Sequence, residues 1–181
     1  MAPSVLDQLA GGDPRTLGRS AEVAEQVLAR PELIDELFDG IAGNDEVVMG
    51  RAIDALEKIA AARPDLIQPY KRELHNRIAK IPHWVVREHV CQLLPRLTAL
   101  TAAERRRALA LVAGYLDDRS SVVKAFALEC LVHLSAAPGF SREQAEVAAL
   151  VHRCATQGDT AALRARARKM QRLLARRTSR Q

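Results

Sequence analysis

Along most of the chain, apolar residues return every three or four positions, the period of an α-helix with one buried face. Five segments share a single register: from a first apolar residue, the face continues at offsets of 4, 7, 8 and 11. The sets are Leu17, Ala21, Ala24, Glu25 and Leu28; Val48, Ala52, Ala55, Leu56 and Ile59; Val86, Val90, Leu93, Leu94 and Leu97; Val123, Ala127, Cys130, Leu131 and Leu134; and Leu163, Ala167, Met170, Gln171 and Leu174. Their anchors lie 31, 38, 37 and 40 residues apart, and a second amphipathic stretch precedes each. Any helix can carry one such face. The recurrence is what predicts a repeat, each unit being a pair of helices. At offset 8 the three middle sets carry leucine, whereas the outer two carry Glu25 and Gln171. Terminal units of a stack have one neighbour fewer and need a polar outer face. Leu56, Leu94 and Leu131 are therefore expected to be buried between units, and Glu25 and Gln171 to stay accessible.

Start and stop signals divide the pattern. Asp13-Pro14 reads as an N-cap with proline at the first helical position, and Pro31 closes that helix. The next helix runs from Pro31-Glu32 to Gly43. Asn44 is expected to cap a helix whose first turn carries Asp45 and Glu46, suited to the positive end of the helix dipole. Pro64 follows the end of that helix, Pro69 and Pro82 mark two further starts, and Pro95 should kink or shorten the helix around it. Thr101-Ala102-Ala103-Glu104 and Ser141-Arg142-Glu143-Gln144 both read as capping boxes. Gly158 stands where a C′ glycine would, with Asp159 or Thr160 opening the last helix. About ten helices joined by short turns result, residues 4–9 forming an incomplete first one.

Composition agrees with an all-α fold. The 181 residues suit one domain; 48% are apolar but only 3% aromatic, and the β-branched and aromatic runs expected of strands are scarce. Gly11, Gly12 and Pro14 interrupt the first twenty residues, which lack the apolar run of a signal peptide. No stretch approaches the ~20 apolar residues that span a bilayer, and the expected location is cytoplasmic. Cys91, Cys130 and Cys154 are too few and too far apart for a disulfide framework or a zinc site, and are expected as buried thiols.

Three stretches resemble the HEAT-repeat family of the armadillo-like superfamily. They are Asn44-Asp45-Glu46-Val47-Val48 with Ala52 and Leu56, then Trp84-Val85-Val86-Arg87, then Asp117-Asp118-Arg119-Ser120-Ser121-Val122-Val123-Lys124 with Ala127 and Leu131. Arg87, Lys124 and Arg164 match the family's basic position; Met49 and Gly18 depart from it, and Pro82 and His83 replace the usual turn aspartate. The resemblance covers residues 13–176. It implies one domain, a right-handed α-solenoid of about five antiparallel helix pairs, with units about 4–30, 31–63, 64–98, 101–135 and 141–177 and a disordered tail at 178–181. By analogy it also implies a non-catalytic scaffold that binds a protein partner.

Motifs for chemistry are sparse. Glu88-His89 occurs once, and His75, His83, His133 and His152 are followed by no ligand residue three or four positions on, so neither a metal nor a cofactor is expected. No nucleophile elbow or phosphate-cradling loop is present. Trp84 and Glu88 lie one turn apart beside Arg87, a pairing similar to the aromatic and carboxylate of the alkylpurine DNA glycosylases, which also use HEAT-like repeats. The plainer reading of Trp84 is a turn residue packed over its neighbours, and no catalytic residue is assigned.

Charge is more informative. The chain carries a net +5, yet residues 164–180 hold eight Lys and Arg with no acid after Asp159, while the remaining 19 Lys and Arg face 22 Asp and Glu. Two candidate surfaces follow. Arg51, Asp54, Arg87, Glu88, Gln92, Lys124 and Glu129 are expected to be exposed along the second helices, facing a protein partner. Arg164, Arg168, Arg172 and Arg176, spaced by four, are expected to form one ridge for nucleic acid or another polyanion.

Overall fold

The computed structural model describes residues 4–13 and 15–179, the side chain of Thr178 excepted. Regular structure among them is entirely helical: α1 (Val5–Leu9), α2 (Ser20–Ala29), α3 (Ile34–Ile41), α4 (Glu46–Ala62), α5 (Lys71–Asn76), α6 (Trp84–Leu93), α7 (Ala102–Gly114), α8 (Ser121–Ser135), α9 (Ser141–Gln157) and α10 (Ala161–Thr178). Short 3-10 segments fill several connections. The chain divides into two compact units, residues 1–99 and 100–181. No helix among the described residues is long and apolar enough to cross a membrane.

In the first unit α4 is central, packing against α1, α2, α3 and α6. Its apolar residues surround it rather than forming a stripe: Val48, Met49, Ala52, Ile53, Ala55, Leu56, Ile59 and Ala60 are all buried, as a helix enclosed on several sides requires. Asp45, one residue beyond the expected Asn44, caps it by accepting from the Val47 and Val48 N–H groups at 2.8 and 3.1 Å. The stretch before α6 is a weak helix. Pro64–Tyr70 is a 3-10 segment with Pro69 inside it, and only Lys71–Asn76 is α-helical, because Pro69 supplies no N–H to an α-helical ladder. Pro95 has the expected effect: α6 ends at Leu93 and gives way to a 3-10 turn over Leu94–Arg96, which keeps Leu94 and Leu97 buried.

The first of the five registers is corrected. No helix starts at Asp13, whose carboxylate instead accepts from the Arg15 N–H and pairs with its guanidinium; Pro14 lies outside the described residues. Residues 10–13 and 15–19 are loop, and in it Gly11, Gly12 and Gly18 take φ of +70, +72 and +50°, left-handed backbone that side-chain-bearing residues avoid. Leu17 falls in this loop and is 55% exposed. The buried face of α2 is Ser20, Val23, Ala24 and Val27, while Ala21 and Glu25 are exposed.

In the second unit α8 is central, packing against α7, α9 and α10, and α9 and α10 lie against each other across the short connection at 158–160. The expected face of α8 is buried throughout: Val123, Ala127, Cys130, Leu131 and Leu134. On α10, Leu163, Ala167 and Met170 are buried, while Gln171 and Leu174 at its far end are half-buried. Thr101 and Glu104 form the capping box at α7. The box expected at Ser141 does not form, since the N-cap of α9 is Phe140 and the Gln144 amide that would close the box donates to the Ala137 carbonyl at 3.2 Å, while Glu143 pairs with Arg106 at 2.8 Å. That arginine also lies over the buried Phe140 ring, 5.0 Å from its centroid. Gly158 is not left-handed (φ −57°), but a Cβ there would stand 2.6 Å from the Cys154 carbonyl oxygen. Thr160 caps α10 by accepting from the Leu163 N–H. Cys91 and Cys130 are buried, whereas Cys154 is partly exposed.

Candidate binding surfaces

The residues expected to face a partner along the second helices are drawn largely into contacts within each unit. Arg51 is only 5% exposed. Its Nη1 donates to the carbonyls of Leu9 (2.7 Å) and Gly11 (2.6 Å), its Nη2 to that of Asp13 (2.8 Å) and its Nε to that of Thr16 (3.2 Å). Four backbone carbonyls of the 9–16 segment thus converge on one planar cation, whose fixed fork of donors suits such a task. Gly18 completes the fit, since a Cβ there would come within 2.7 Å of Arg51 Nε. The expectation that Arg51 is exposed fails because its partners are carbonyls 35 to 42 residues away, which helical periodicity does not register.

Asp54, also expected outside, is 6% exposed. Its Oδ2 accepts from the Ser20 hydroxyl of α2 (2.5 Å) and from Lys58, and its Oδ1 lies 3.6 Å from His89 Nε2 on α6. His89 Nδ1 is 2.8 Å from the Val85 carbonyl, to which it donates. The serine and the imidazole meet opposite oxygens of one carboxylate, so the imidazole does not stand on the hydroxyl as it does in a serine–histidine pair. Burial works against charge on both groups. His89, Lys58 and Ser20 nevertheless bring the Asp54 pKa down to about 2, and Asp54 with the Val85 carbonyl raises that of His89 above its ordinary value.

The pH dependence has two limbs. The carboxylate contributes above its unfolded pKa of about 4, and that contribution is lost as pH falls toward the folded value. The histidine contributes fully below about pH 6.5, and that contribution is lost as pH rises through its raised folded value. The thermal midpoint is expected to decline as pH rises above about 6.5, and His89→Gln should flatten that limb. An equal decline in the variant would assign it to another group.

On α8, Lys124 pairs with Asp159, and Glu129 pairs with Arg166 and Lys169 of α10. Arg166 also covers the Phe126 ring, 4.3 Å from its centroid. These pairs fasten α10 to α8. Arg87, Glu88 and Gln92 are half-buried on α6.

The last helix keeps most of its expected ridge. Arg164 is half-buried and donates to the Gly158 carbonyl at 2.5 Å. Arg168, Arg172 and Arg176 are exposed and make no ion pair among the described residues. Successive members stand about 6 Å apart along the axis, at 1.5 Å per residue. The helix belongs to the basic unit: residues 100–181 contain 15 Lys and Arg against 7 Asp and Glu, whereas residues 1–99 contain 12 against 15. The half-buried Gln171, with Nε2 3.3 Å from His152 Nδ1, lies off this ridge.

A groove of about 320 Å³ opens in the first unit between the 15–17 loop, the start of α4 and the start of α6. Leu17 and Trp84, 55% and 51% exposed, both line it, together with Val47, Gly50 and Val85. Periodicity placed Leu17 in the core and so missed this surface; the glycines at 11, 12 and 18 were the available signal that the helix starts later. A smaller cleft of about 290 Å³ in the second unit is walled by Leu109, Ala110, Leu131, Val147 and Leu150. Among the described residues no group of three or more His, Cys, Asp or Glu is placed to hold a metal ion. Comparison with protein-family models, with curated proteins and with solved structures returned no match.

Proposed function

We propose that the chain is a non-catalytic binding module of the HEAT-like kind, a right-handed solenoid of about five helix pairs, and that Arg168, Arg172 and Arg176 dock an anionic macromolecule. The repeat reading is supported by register: the sets beginning at Val48, Val86 and Val123 are buried at all five positions, and the set beginning at Leu163 at its first three. The binding reading is carried by one observation. These three arginines stay exposed on one helix face while Arg166 and Lys169 beside them both pair with Glu129. Like charges at this spacing cost each pair about 0.2–0.5 kcal/mol in an isolated helix, a cost that a bound anion removes.

A protein partner is the second reading, favoured by the groove. Leu17 and Trp84 are two of the three exposed large apolar residues among those described, and they line one depression. Buried aromatic anchors of this kind dominate protein–protein affinity. One set of variants separates the readings. Arg168→Glu with Arg172→Glu should release the protein from heparin at much lower salt without changing its helical content, and Leu17→Ser with Trp84→Ser should leave heparin retention intact while abolishing recovery of a co-purifying protein. Unchanged heparin retention in the charge-reversal variant would reduce the ridge to a solvated face. Unchanged partner recovery in the groove variant would remove the second reading.

A further inference from the structure

We infer that the polymer taken by the ridge is double-stranded nucleic acid, held by the phosphates of one strand and without contact to the bases; this rests on the ridge reading above. Six features of the second unit point to it.

The ridge consists of arginines alone, whose planar guanidinium forks bind phosphate in bidentate fashion, where lysine would act as a point charge. It is evenly spaced, at four-residue intervals on an 18-residue helix, so its natural complement is a polymer with charges at a regular interval. Duplex nucleic acid supplies that, at one negative charge per about 1.7 Å of axis.

The positions around the arginines exclude other modes. Among the described side chains of α10, Ala161, Ala162, Ala165 and Ala175 are the other exposed ones apart from Lys169. Alanine lets a backbone approach closely and offers no donor or acceptor to a base edge. Single strands are gripped by stacking bases on aromatic rings. Here Tyr115 and Phe140 are buried and Phe126 lies beneath Arg166, so among the described residues of this unit no Phe, Tyr or Trp ring is open to a base; the exposed imidazoles of His133 and His152 lie on α8 and α9, not on the ridge. Recognition of an acidic protein would call for apolar anchors, and among the described residues of the unit the only exposed large apolar one is Val122, at 37%, on α8. The apolar face of α10 is spent on α8 and α9, leaving nothing to insert into a lipid surface.

The test is fluorescence anisotropy with the full chain and labelled DNA: two unrelated duplexes of about 20 base pairs, the single strand of equal length, and polyglutamate as competitor. Three phosphate contacts give a logarithmic salt slope near −2.7, so duplex affinity should fall about 40-fold between about 50 and 200 mM salt. Arg172→Gln removes one contact, and the same salt interval should then cost about 12-fold. The two duplex sequences should bind equally, and the single strand more weakly. Tighter binding of the single strand, a tenfold preference for one sequence, or full displacement of the duplex by an equal charge of polyglutamate would overturn the inference while leaving the ridge reading in place. Duplex affinity unchanged by replacing all three arginines with glutamine would overturn both.

Discussion

Replacing Arg51 with methionine is expected to cost about 2–4 kcal/mol of stability, because hydrogen bonds from a charged group contribute about 1.5–3 kcal/mol each and water restores only some of them. Methionine preserves the apolar stem, so the loss isolates the guanidinium. The carbonyls of Gly11, Asp13 and Thr16 belong to exposed residues and can turn to solvent, whereas that of Leu9 belongs to a fully buried one. Removal of the cation's own desolvation cost keeps the sum below four full bonds. Denaturant unfolding of wild type and variant measures the difference. A change below about 0.5 kcal/mol would class Arg51 with ordinary surface residues and deny the four contacts any net effect.

Leu94→Ala is expected to cost about 2–5 kcal/mol, the transfer free energy of the lost carbons plus the cavity they leave. Leu94 is 1% exposed and sits in the 3-10 turn that follows α6. Pro95 beside it limits how the backbone can settle into the void, which places the effect toward the upper part of that range. The check is again denaturant unfolding, with Arg168→Ala as an exposed control expected to stay within about 0.5 kcal/mol. A small effect at Leu94 would mean that this turn is not packed as described.

What was legible in the sequence was whatever local periodicity can encode. The buried sets of α4, α6 and α8 follow at every position from offsets counted along the chain, as do the shortening of α6 at Pro95 and the capping box at Thr101. The errors share a physical cause: a competing partner distant in sequence. Asp13 fits an N-cap in isolation, but the 9–16 segment is wrapped around a guanidinium from α4. Ser141 and Gln144 spell a capping box, but Phe140, packed beneath Arg106, holds the N-cap position instead. Arg51 and Asp54 read as surface by residue type, yet each satisfies buried polar groups of another element. The arginine ridge was legible because its logic lies within one helix. Its reduction from four members to three was not, since Arg164 turns to the Gly158 carbonyl. The groove was hidden by the register error that placed Leu17 in the core.

The short α1 carries a consequence for the order in which the chain folds. Five residues are too few to hold a helix in water, so α1 exists only through its attachments. The Ser4 hydroxyl donates to Glu36, Gln8 and Gln26 exchange amide hydrogen bonds, and Arg51 takes the Leu9 carbonyl, across separations of 32, 18 and 42 residues. Leu6 lies against Gly40 so closely that a Cβ there would stand 2.5 Å from its side chain. Contacts that close large loops pay their entropy before they return any energy. They therefore form after α3 and α4 have met, and the N-terminal segment is the last part of its unit to lock and the first to let go. Stability lost at Arg51 accordingly emerges as faster unfolding, with the folding rate almost untouched.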